Sequence, residues 1–179
     1  GNSELFGSSA YIPYFFVISD KNDLTFKPRL YTKDKFTLQT EYREVTENSA
    51  NIFDVSLTTG HASSKTDQDD NRSHFFSNSM IDLNFKNFDY SNLEIQLQKT
   101  SNDTYLKLFN FETPLITNTS TLNSFIKIDA DSDDLSFDTY VQVYEKLGNA
   151  DSDKYEYILP SYSLTKFIDI NEKFNGTMS

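Results

Sequence analysis

Residues 53–58 read Phe-Asp-Val-Ser-Leu-Thr, and this short stretch carries the pattern that decides the fold. Every second side chain is apolar, and the side chains between them are polar. Successive side chains of a β-strand point to opposite faces of a sheet, so strict alternation indicates a strand with one apolar and one polar face. The same period returns in segment after segment and predicts a protein made of β structure.

The alternation predicts about ten strands joined by short turns. They fall at residues 11–18, 24–32, 35–45, 51–59, 74–87, 90–100, 103–111, 122–129, 135–147 and 155–168. No segment of comparable length repeats apolar residues at helical spacing, so we expect little helix. Sequential strands with short connections form an antiparallel up-and-down meander. The predicted fold class is therefore all-β, with about 8–10 strands in a single β-barrel-type domain. That domain takes in residues 1–179.

The composition fits a thin sheet with one apolar face and one polar, solvent-exposed face. Apolar residues make up only 37% of the chain, whereas aromatic residues reach 15%, with 16 Phe and 11 Tyr. Disordered chains lack aromatic residues, so the low apolar fraction does not indicate disorder. Glycine (5) and proline (4) are scarce. We therefore expect turns built by Asn, Asp and Ser, which form Asx turns and tolerate left-handed backbone.

Charge and cysteine content exclude several classes of function. A net charge of −11 opposes binding to nucleic acid and to an anionic membrane surface. Without cysteine, the chain has neither disulfides nor thiolate metal sites. The longest apolar run, residues 11–18, is far shorter than the roughly 20 residues of a membrane-spanning helix, but a barrel strand needs only about 10.

An acidic run late in the chain begins like a calcium-binding loop. It reads Asp129-Ala-Asp131-Ser-Asp133-Asp134, with carboxylates at alternate positions. An EF-hand loop would then need Gly at its sixth place and Glu at its twelfth, where this chain has Asp134 and Tyr140. We therefore interpret the run as a solvated turn.

A second acidic cluster, Asp67, Asp69 and Asp70, lies in a long polar stretch at residues 61–73 that we interpret as a flexible loop. His61 and His74 flank it without the spacing of a zinc site. No motif holds a serine, a histidine and an aspartate together as in a hydrolase. The sequence predicts no catalytic residue, no metal site and no cofactor, and we do not expect an enzyme.

Two prolines interrupt segments that otherwise alternate as strands. Pro13 lies in Tyr11-Ile-Pro-Tyr-Phe-Phe, and Pro28 lies in Leu24-Thr-Phe-Lys-Pro-Arg. Proline cannot donate a backbone hydrogen bond, so it belongs at sheet edges, strand starts or bulges. The two prolines therefore mark either a sheet edge protected against aggregation or a seam that opens easily.

The segments around these prolines resemble the start of the barrel of the LptD family. These are the organic-solvent-tolerance, lipopolysaccharide-assembly proteins of Gram-negative outer membranes. The shared features are an aromatic Pro-Tyr strand (residues 11–19), a strand with the second proline (22–33) and a Glu-x-Arg strand (38–43). Further similarity lies in Thr100-Ser-Asn-Asp-Thr-Tyr-Leu and in Tyr157-Ile-Leu-Pro-Ser-Tyr, which is most like alphaproteobacterial members.

The resemblance implies a non-catalytic part of the translocon that inserts lipopolysaccharide into the outer leaflet of the cell outer membrane. In this family the lipid leaves through a lateral gate between the first and last strands, where two prolines weaken the pairing, and Pro13 and Pro28 are the corresponding residues. The implied partners are lipopolysaccharide, the periplasmic lipopolysaccharide-transport bridge and a plug lipoprotein. We expect a piece of a longer protein, which alone would form a curled sheet, a small barrel or an edge-to-edge homodimer.

Alternation by itself leaves a second function open, a soluble all-β binding module. In a lipocalin-like barrel or a sandwich, the same apolar faces would surround an apolar ligand or contact a protein partner. A third interpretation is a surface adhesin or structural protein rich in Asn and Asp. Charges on the polar faces, such as Lys27, Arg29, Glu41 and Arg43, fit either a watery lumen or bulk solvent. The direction of the apolar side chains, outward or towards one core, separates these alternatives.

Overall fold

The alternating segments form one antiparallel sheet in which neighbours along the chain are neighbours in space. The computed structural model describes residues 2–3, 7–32, 35–62, 69–171 and 174–178, with side chains for 7–32, 35–59 and 71–168. Among these residues no pairing joins the first strand to the last, so the sheet is open. The predicted all-β up-and-down meander is confirmed.

The described part of the sheet has 12 strands. They are β1 (Asn2–Ser3), β2 (Gly7–Tyr11), β3 (Tyr14–Ser19), β4 (Asn22–Tyr31), β5 (Lys35–Val45), β6 (Ser49–Ala62), β7 (Asp69–Asp82), β8 (Tyr90–Thr100), β9 (Thr121–Asp131), β10 (Leu135–Lys146), β11 (Tyr155–Asn171) and β12 (Phe174–Met178). Both β2 and β3 pair with β4, so they are two halves of one interrupted strand.

The strand predicted at residues 103–111 is wrong. A short helix, α1 (Tyr105–Phe109), occupies its centre, and it buries Tyr105, Leu106 and Phe109. These positions are spaced by three and four residues, which places them on one face of a helix. A single turn of this kind is too short to be recognised in a window of helical length. No helix in the described residues is long and apolar enough to span a membrane.

The predicted long loop at residues 61–73 is also wrong in extent. Strand β6 continues to Ala62 and β7 begins at Asp69, so only residues 63–68 lie outside the two strands, and the structure does not describe them. At its other end β7 stops at Asp82, short of the predicted residue 87. There the Asp82 carboxylate accepts a hydrogen bond from the Asn84 backbone N–H at 2.9 Å, and Asn84 has a φ of 51°.

Other turns are built as the composition predicts. The Asn102 side-chain oxygen accepts a hydrogen bond from the Thr104 N–H at 3.0 Å, and Asn118 does the same for the Ser120 N–H at 2.7 Å. Asn110, with a φ of 45°, ends α1 in the left-handed conformation. Asparagine thus takes the place of glycine at these turns.

The register of the strands separates two faces. The polar face is defined by Lys27, Gln39, Ser56, His74 and Thr100, which stand opposite one another on successive strands from β4 to β8. The alternate positions form the apolar face. Because one register holds across these strands, the polar and apolar side chains remain sorted over the width of the sheet.

The apolar face is represented by Val55 and Phe75, a pair on β6 and β7, and by the row Ile95, Ile126 and Val141 on β8 to β10. Its side chains do not converge on a second layer of the described chain, and many remain exposed.

A core does form, but it lies on the polar face. The covering segment, residues 101–120, connects β8 to β9 and includes α1. Its apolar side chains pack with a few from the sheet in one buried cluster. The members of that cluster are Phe76, Tyr105, Leu106, Phe109, Leu115, Leu122 and Leu147. The covering segment therefore buries part of the polar face that was predicted to be exposed to solvent.

Candidate functional site at the proline gap and the covered polar face

Pro13 and Pro28 meet where the pairing of the first strands is interrupted. Strand β2 pairs with β4 as far as Tyr11, and β3 resumes the pairing at Tyr14. Ile12 and Pro13 belong to neither half, and the common register places Pro28 of β4 opposite them. We term this place the proline gap.

The missing N–H of Pro28 weakens one side of β4 only. Pro28 pairs with Leu38 in an unbroken ladder to β5, whereas the ladder to the first strand stops beside it. The Thr32 N–H donates to the Ser8 carbonyl in the same register, and donors alternate from side to side along a strand, so the ring nitrogen of Pro13 faces away from β4, at the outer edge of the first strand. Each ladder hydrogen bond that is absent is worth about 0.5–1.5 kcal/mol net. Pro13 lies just before the start of β3, whereas Pro28 lies within β4, and the role of both as a lateral gate stays a prediction.

The two cations on either side of Pro28 contact the covering segment. Lys27 donates from Nζ to the Glu112 carbonyl at 2.7 Å, and Arg29 donates from Nη1 to the Phe109 carbonyl at 3.0 Å. Both side chains were expected to face a watery lumen or bulk solvent. The structure instead places their charged ends against backbone carbonyls of the same chain.

Under the covering segment, Asp54, Ser56 and His74 form a buried hydrogen-bonded row. His74 donates from Nε2 to Asp54 Oδ1, and its Nδ1 lies 2.7 Å from Ser56 Oγ. The side chains of Asp54 and His74 are fully buried. With its proton on Nε2, the neutral imidazole accepts at Nδ1, so the Ser56 hydroxyl donates to it.

Tyr105 of α1 joins this row to the covering segment. Its hydroxyl lies 2.8 Å from Ser56 Oγ and 2.8 Å from Thr58 Oγ1, and Thr58 Oγ1 lies 2.8 Å from Thr37 Oγ1. Each hydroxyl can therefore donate to the next, from Thr37 through to His74. Burial raises the pKa of Tyr105 above its ordinary value, so its hydroxyl remains a neutral donor.

The row corrects the expectation that nothing holds a serine, a histidine and an aspartate together. Ser56, His74 and Asp54 have the order of a hydrolase triad, but Ser56 is only 5% exposed and its hydroxyl also contacts Tyr105. A nucleophile must reach a substrate carbonyl, and this hydroxyl lies inside the protein. The geometry therefore supports a structural task, which is to bind α1 to the sheet.

A second carboxylate, Glu41, lies opposite Asp54 on the neighbouring strand and is only 2% exposed. Like charges this close repel, so each carboxylate needs donors to stabilise it. Lys27 Nζ lies 3.3 Å from Glu41, and Arg43 Nε donates to Glu41 at 2.7 Å. The Gln39 amide donates to Asp54 Oδ2 at 2.8 Å. On the covered polar face, both buried carboxylates thus have hydrogen-bond partners and belong to one connected network.

The start of the covering segment is fixed to the turn between β10 and β11. Lys154 lies 3.0 Å from one oxygen of Asp103, and the Gly148 N–H donates to the other at 3.1 Å. The hydrogen bond from Lys154 lowers the pKa of Asp103, and the Gly148 N–H acts in the same direction. The carboxylate therefore stays ionised and holds this end of the segment in place.

The acidic run at residues 129–134 lies at the end of β9 and in the turn to β10. Asp129 and Asp131 belong to β9, and Asp129 forms an ion pair with Lys127 at 2.9 Å. The Ser132 N–H donates to the Leu135 carbonyl at 2.8 Å and closes the turn. No group of three metal-ligating side chains occurs among the residues that the structure describes.

The second acidic cluster lies at the edge of the described chain. Asp67 falls outside the described residues; Asp69 and Asp70 begin β7, and their side chains are not described. His61 lies in β6 opposite Asp70, with its side chain also outside the description. His74 is therefore the histidine whose environment is known, and it lies in the buried row.

Sequence reasoning found the prolines but missed the buried row. Asp54 and Ser56 alternate within the opening motif, which marks them as polar-face residues and nothing more. Only the register between β6 and β7 places His74 opposite Ser56. No family model matches this chain, and no curated protein matches it.

Proposed function

We propose that this chain forms part of the wall of an outer-membrane β-barrel that transports lipopolysaccharide. In this proposal the apolar face contacts the lipid tails, and the polar face with its covering segment faces the barrel interior. The chain performs no chemistry, and the proline gap loosens the first strand, which borders the lateral gate.

The observation that carries the proposal is the side of the sheet on which the covering segment lies. Leu57 (50%), Leu97 (46%), Ile126 (45%) and Val141 (41%) on the apolar face remain exposed, whereas polar side chains opposite them are buried. A water-soluble sheet covers its apolar face first, because monomeric soluble proteins rarely expose apolar patches larger than a few hundred Å². Apolar-out and polar-in is the arrangement of a membrane barrel wall.

Lipopolysaccharide as the cargo is supported by the segments that resemble the LptD family and by the pairing around the two prolines. Pro13 and Pro28, which the resemblance assigns to the gate, lie one position apart across the same interrupted ladder, with Pro28 opposite Ile12 and Pro13 opposite Lys27. A seam that lacks ladder bonds separates at a lower free-energy cost than one with a full ladder. By the same resemblance, the periplasmic transport bridge and a plug lipoprotein are the proposed protein partners.

One feature favours the alternative of a soluble binding module. An apolar groove opens on the apolar face where the register between β10 and β11 shifts. Its walls include Leu97, Ile126, Val141, Tyr157 and Leu159. Such a groove suits an apolar ligand as well as it suits a lipid tail of the bilayer.

Single cysteines distinguish a membrane wall from a binding module, because the chain has no cysteine of its own. Gln96 and Leu97 are adjacent in β8 and point to opposite faces. With nitroxide labels at these two positions, in the native protein in phospholipid bilayers, we expect Leu97→Cys to respond to dissolved oxygen and Gln96→Cys to resist it. Ile126→Cys should repeat the result of Leu97→Cys, and Asn78→Cys that of Gln96→Cys.

Two outcomes of this labelling contradict the membrane wall. If labels at Leu97 and Ile126 are shielded from oxygen and from a water-soluble nickel chelate alike, then protein or a bound ligand covers the apolar face. If the chelate reaches them as readily as it reaches exposed turns, the face is in water. A native protein that stays in the aqueous phase during fractionation argues in the same direction.

Replacing both prolines tests the gate. Pro13→Thr with Pro28→Thr restores one backbone donor towards the first strand, at residue 28, and frees the fixed φ of residue 13. We therefore expect the ladder between the first strand and β4 to close across the gap and less lipopolysaccharide to reach the cell surface. Hydrogen exchange of the amides beside the gap should slow by about 2- to 13-fold, as the roughly 0.5–1.5 kcal/mol of one added hydrogen bond implies. Lipopolysaccharide exposed on intact cells measures the export.

Pro160→Thr is the matched control for the gate. Pro160 also lies in a strand, β11, near the register shift with β10, but it is far from the proline gap along the sheet. We expect normal export from this variant. Unchanged export from the double variant, with exchange at the gap slowed, would refute the gate role while leaving the wall intact.

A further inference from the structure

The covering segment extends across the sheet to the proline gap. It leaves the sheet from β8 and returns in β9, and β5, β6 and β7 lie between β8 and β4. Nevertheless the carbonyls of Phe109 and Glu112 are held by side chains of β4. A connection between two neighbouring strands does not need this reach, so the contacts at its far end require a reason of their own.

Arg29 is the centre of those contacts. Its guanidinium donates to the Phe109 carbonyl at 3.0 Å and lies 5.0 Å from the centre of the Tyr11 ring. Tyr11 is the last residue of β2 before the gap, and it pairs with Arg29 in register. The Tyr11 hydroxyl donates to the Glu112 carboxylate at 3.4 Å. The end of the first half-strand is therefore fixed to the covering segment through a ring, a cation and a carboxylate.

Lys27 holds the same part of the covering segment from the other side of Pro28. It donates to the Glu112 carbonyl at 2.7 Å and lies 3.3 Å from the Glu41 carboxylate, which is buried. The Gln39 amide lies 3.3 Å from the same carbonyl. Glu112 is thus fixed by its backbone to β4 and β5, which positions its side chain at the first strand.

We propose that the covering segment is a latch on the proline gap. It provides, through Tyr11, Arg29 and Lys27, side-chain contacts where the pairing of β4 with the first strand is interrupted. The first strand detaches from β4 only when Tyr11 separates from Arg29 and Glu112. The purpose of the opening, which is the passage of lipid, rests on the proposed function. The restraint itself acts on the strands whatever passes between them.

Arg29→Met tests the latch directly. Methionine keeps an unbranched apolar stem of similar reach but removes the charge and the donors. We expect hydrogen exchange of the amides in residues 7–19 to become about 5- to 30-fold faster, from the loss of a cation–π contact and a charged hydrogen bond. Exchange in β8 and β9 should not change. Arg29→Lys, which keeps the cation, should fall between the variant and the native protein.

Arg43→Met is the matched control. Arg43 is an arginine on the polar face of the adjacent strand, but its ion pair is with Glu41 and not with the covering segment. We expect it to leave the exchange of residues 7–19 at the native rate. If it accelerates that exchange as much as Arg29→Met does, the effect is a general loss of charge and the latch is refuted.

A second variant keeps the proposal testable if Arg29→Met disturbs folding. Tyr11→Leu removes the ring from a side chain that is already 38% exposed, and it should accelerate the same amides. If the two residues act through one contact, the double variant exchanges no faster than the more affected single variant. Independent, multiplying effects would overturn the latch. Failure of the gate would instead be seen as normal export from the proline variant, so the two proposals fail separately.

Discussion

Asp54→Ala is expected to lower the free energy of unfolding by about 2–6 kcal/mol, because it removes a fully buried carboxylate and leaves two buried donors without an acceptor, at about 1–3 kcal/mol each. His74 loses the acceptor for its Nε2 proton, and the Gln39 amide loses its 2.8 Å acceptor. Neither can turn to water, since both side chains lie under the covering segment. Urea unfolding followed by circular dichroism measures the loss.

Two further variants make this result specific. Asp138→Ala removes an aspartate from β10, outside the buried row, and should change stability by no more than about 0.5 kcal/mol. Replacing Asp54 and His74 together by leucine should restore much of the loss, because an apolar pair leaves no buried charge. A loss below about 1 kcal/mol from Asp54→Ala alone would mean that water reaches the row and that the covering segment does not seal it.

The period of two was sufficient to predict the sheet, because each strand carries its own alternation and antiparallel neighbours follow one another along the chain. Residues 35–45 and 90–100 were predicted as strands at the bounds that the structure has. The failures lie where a tertiary contact outweighs the local pattern. Around Tyr105, burial of three side chains in one cluster selects a turn of helix over a strand.

Of the candidate site, only the two prolines could be predicted from the sequence. Proline lacks a backbone donor wherever it occurs, so the sequence alone could indicate that Pro13 and Pro28 each leave one ladder position without a donor. The row of Asp54, Ser56 and His74 depends on pairing between two strands. Register is set by the whole sheet, and a shift of one residue would move His74 to the opposite face.

Alternation also could not tell which face would be covered. It sorted Glu41 and Asp54 onto the polar side, where solvent was the simplest surrounding. The structure covers them with protein and satisfies them with donors from Arg43 and Gln39. A polar interior of this kind costs more to assemble than an apolar one, but once satisfied it specifies a single position for the covering segment.

Phe109→Ala separates the packing of the covering segment from its hydrogen bonds. The Phe109 side chain is 2% exposed and packs against the rings of Tyr105, Tyr31 and Phe111, with centroids 5.1, 6.0 and 6.1 Å away. Truncation of such a side chain costs about 3–5 kcal/mol. The backbone carbonyl that Arg29 holds is untouched by the change, so the loss reports packing alone. Urea unfolding measures it.

The control lies on the other face of the sheet. Phe75→Ala removes the same ring from a position that is 43% exposed, so in water or detergent it should cost much less than Phe109→Ala. If the covering segment is the core of this protein, the two phenylalanines must differ in this order. Equal losses would mean that the apolar face is as well covered as the polar one. The uncovered apolar face, from which the membrane wall was argued, would then not exist in solution.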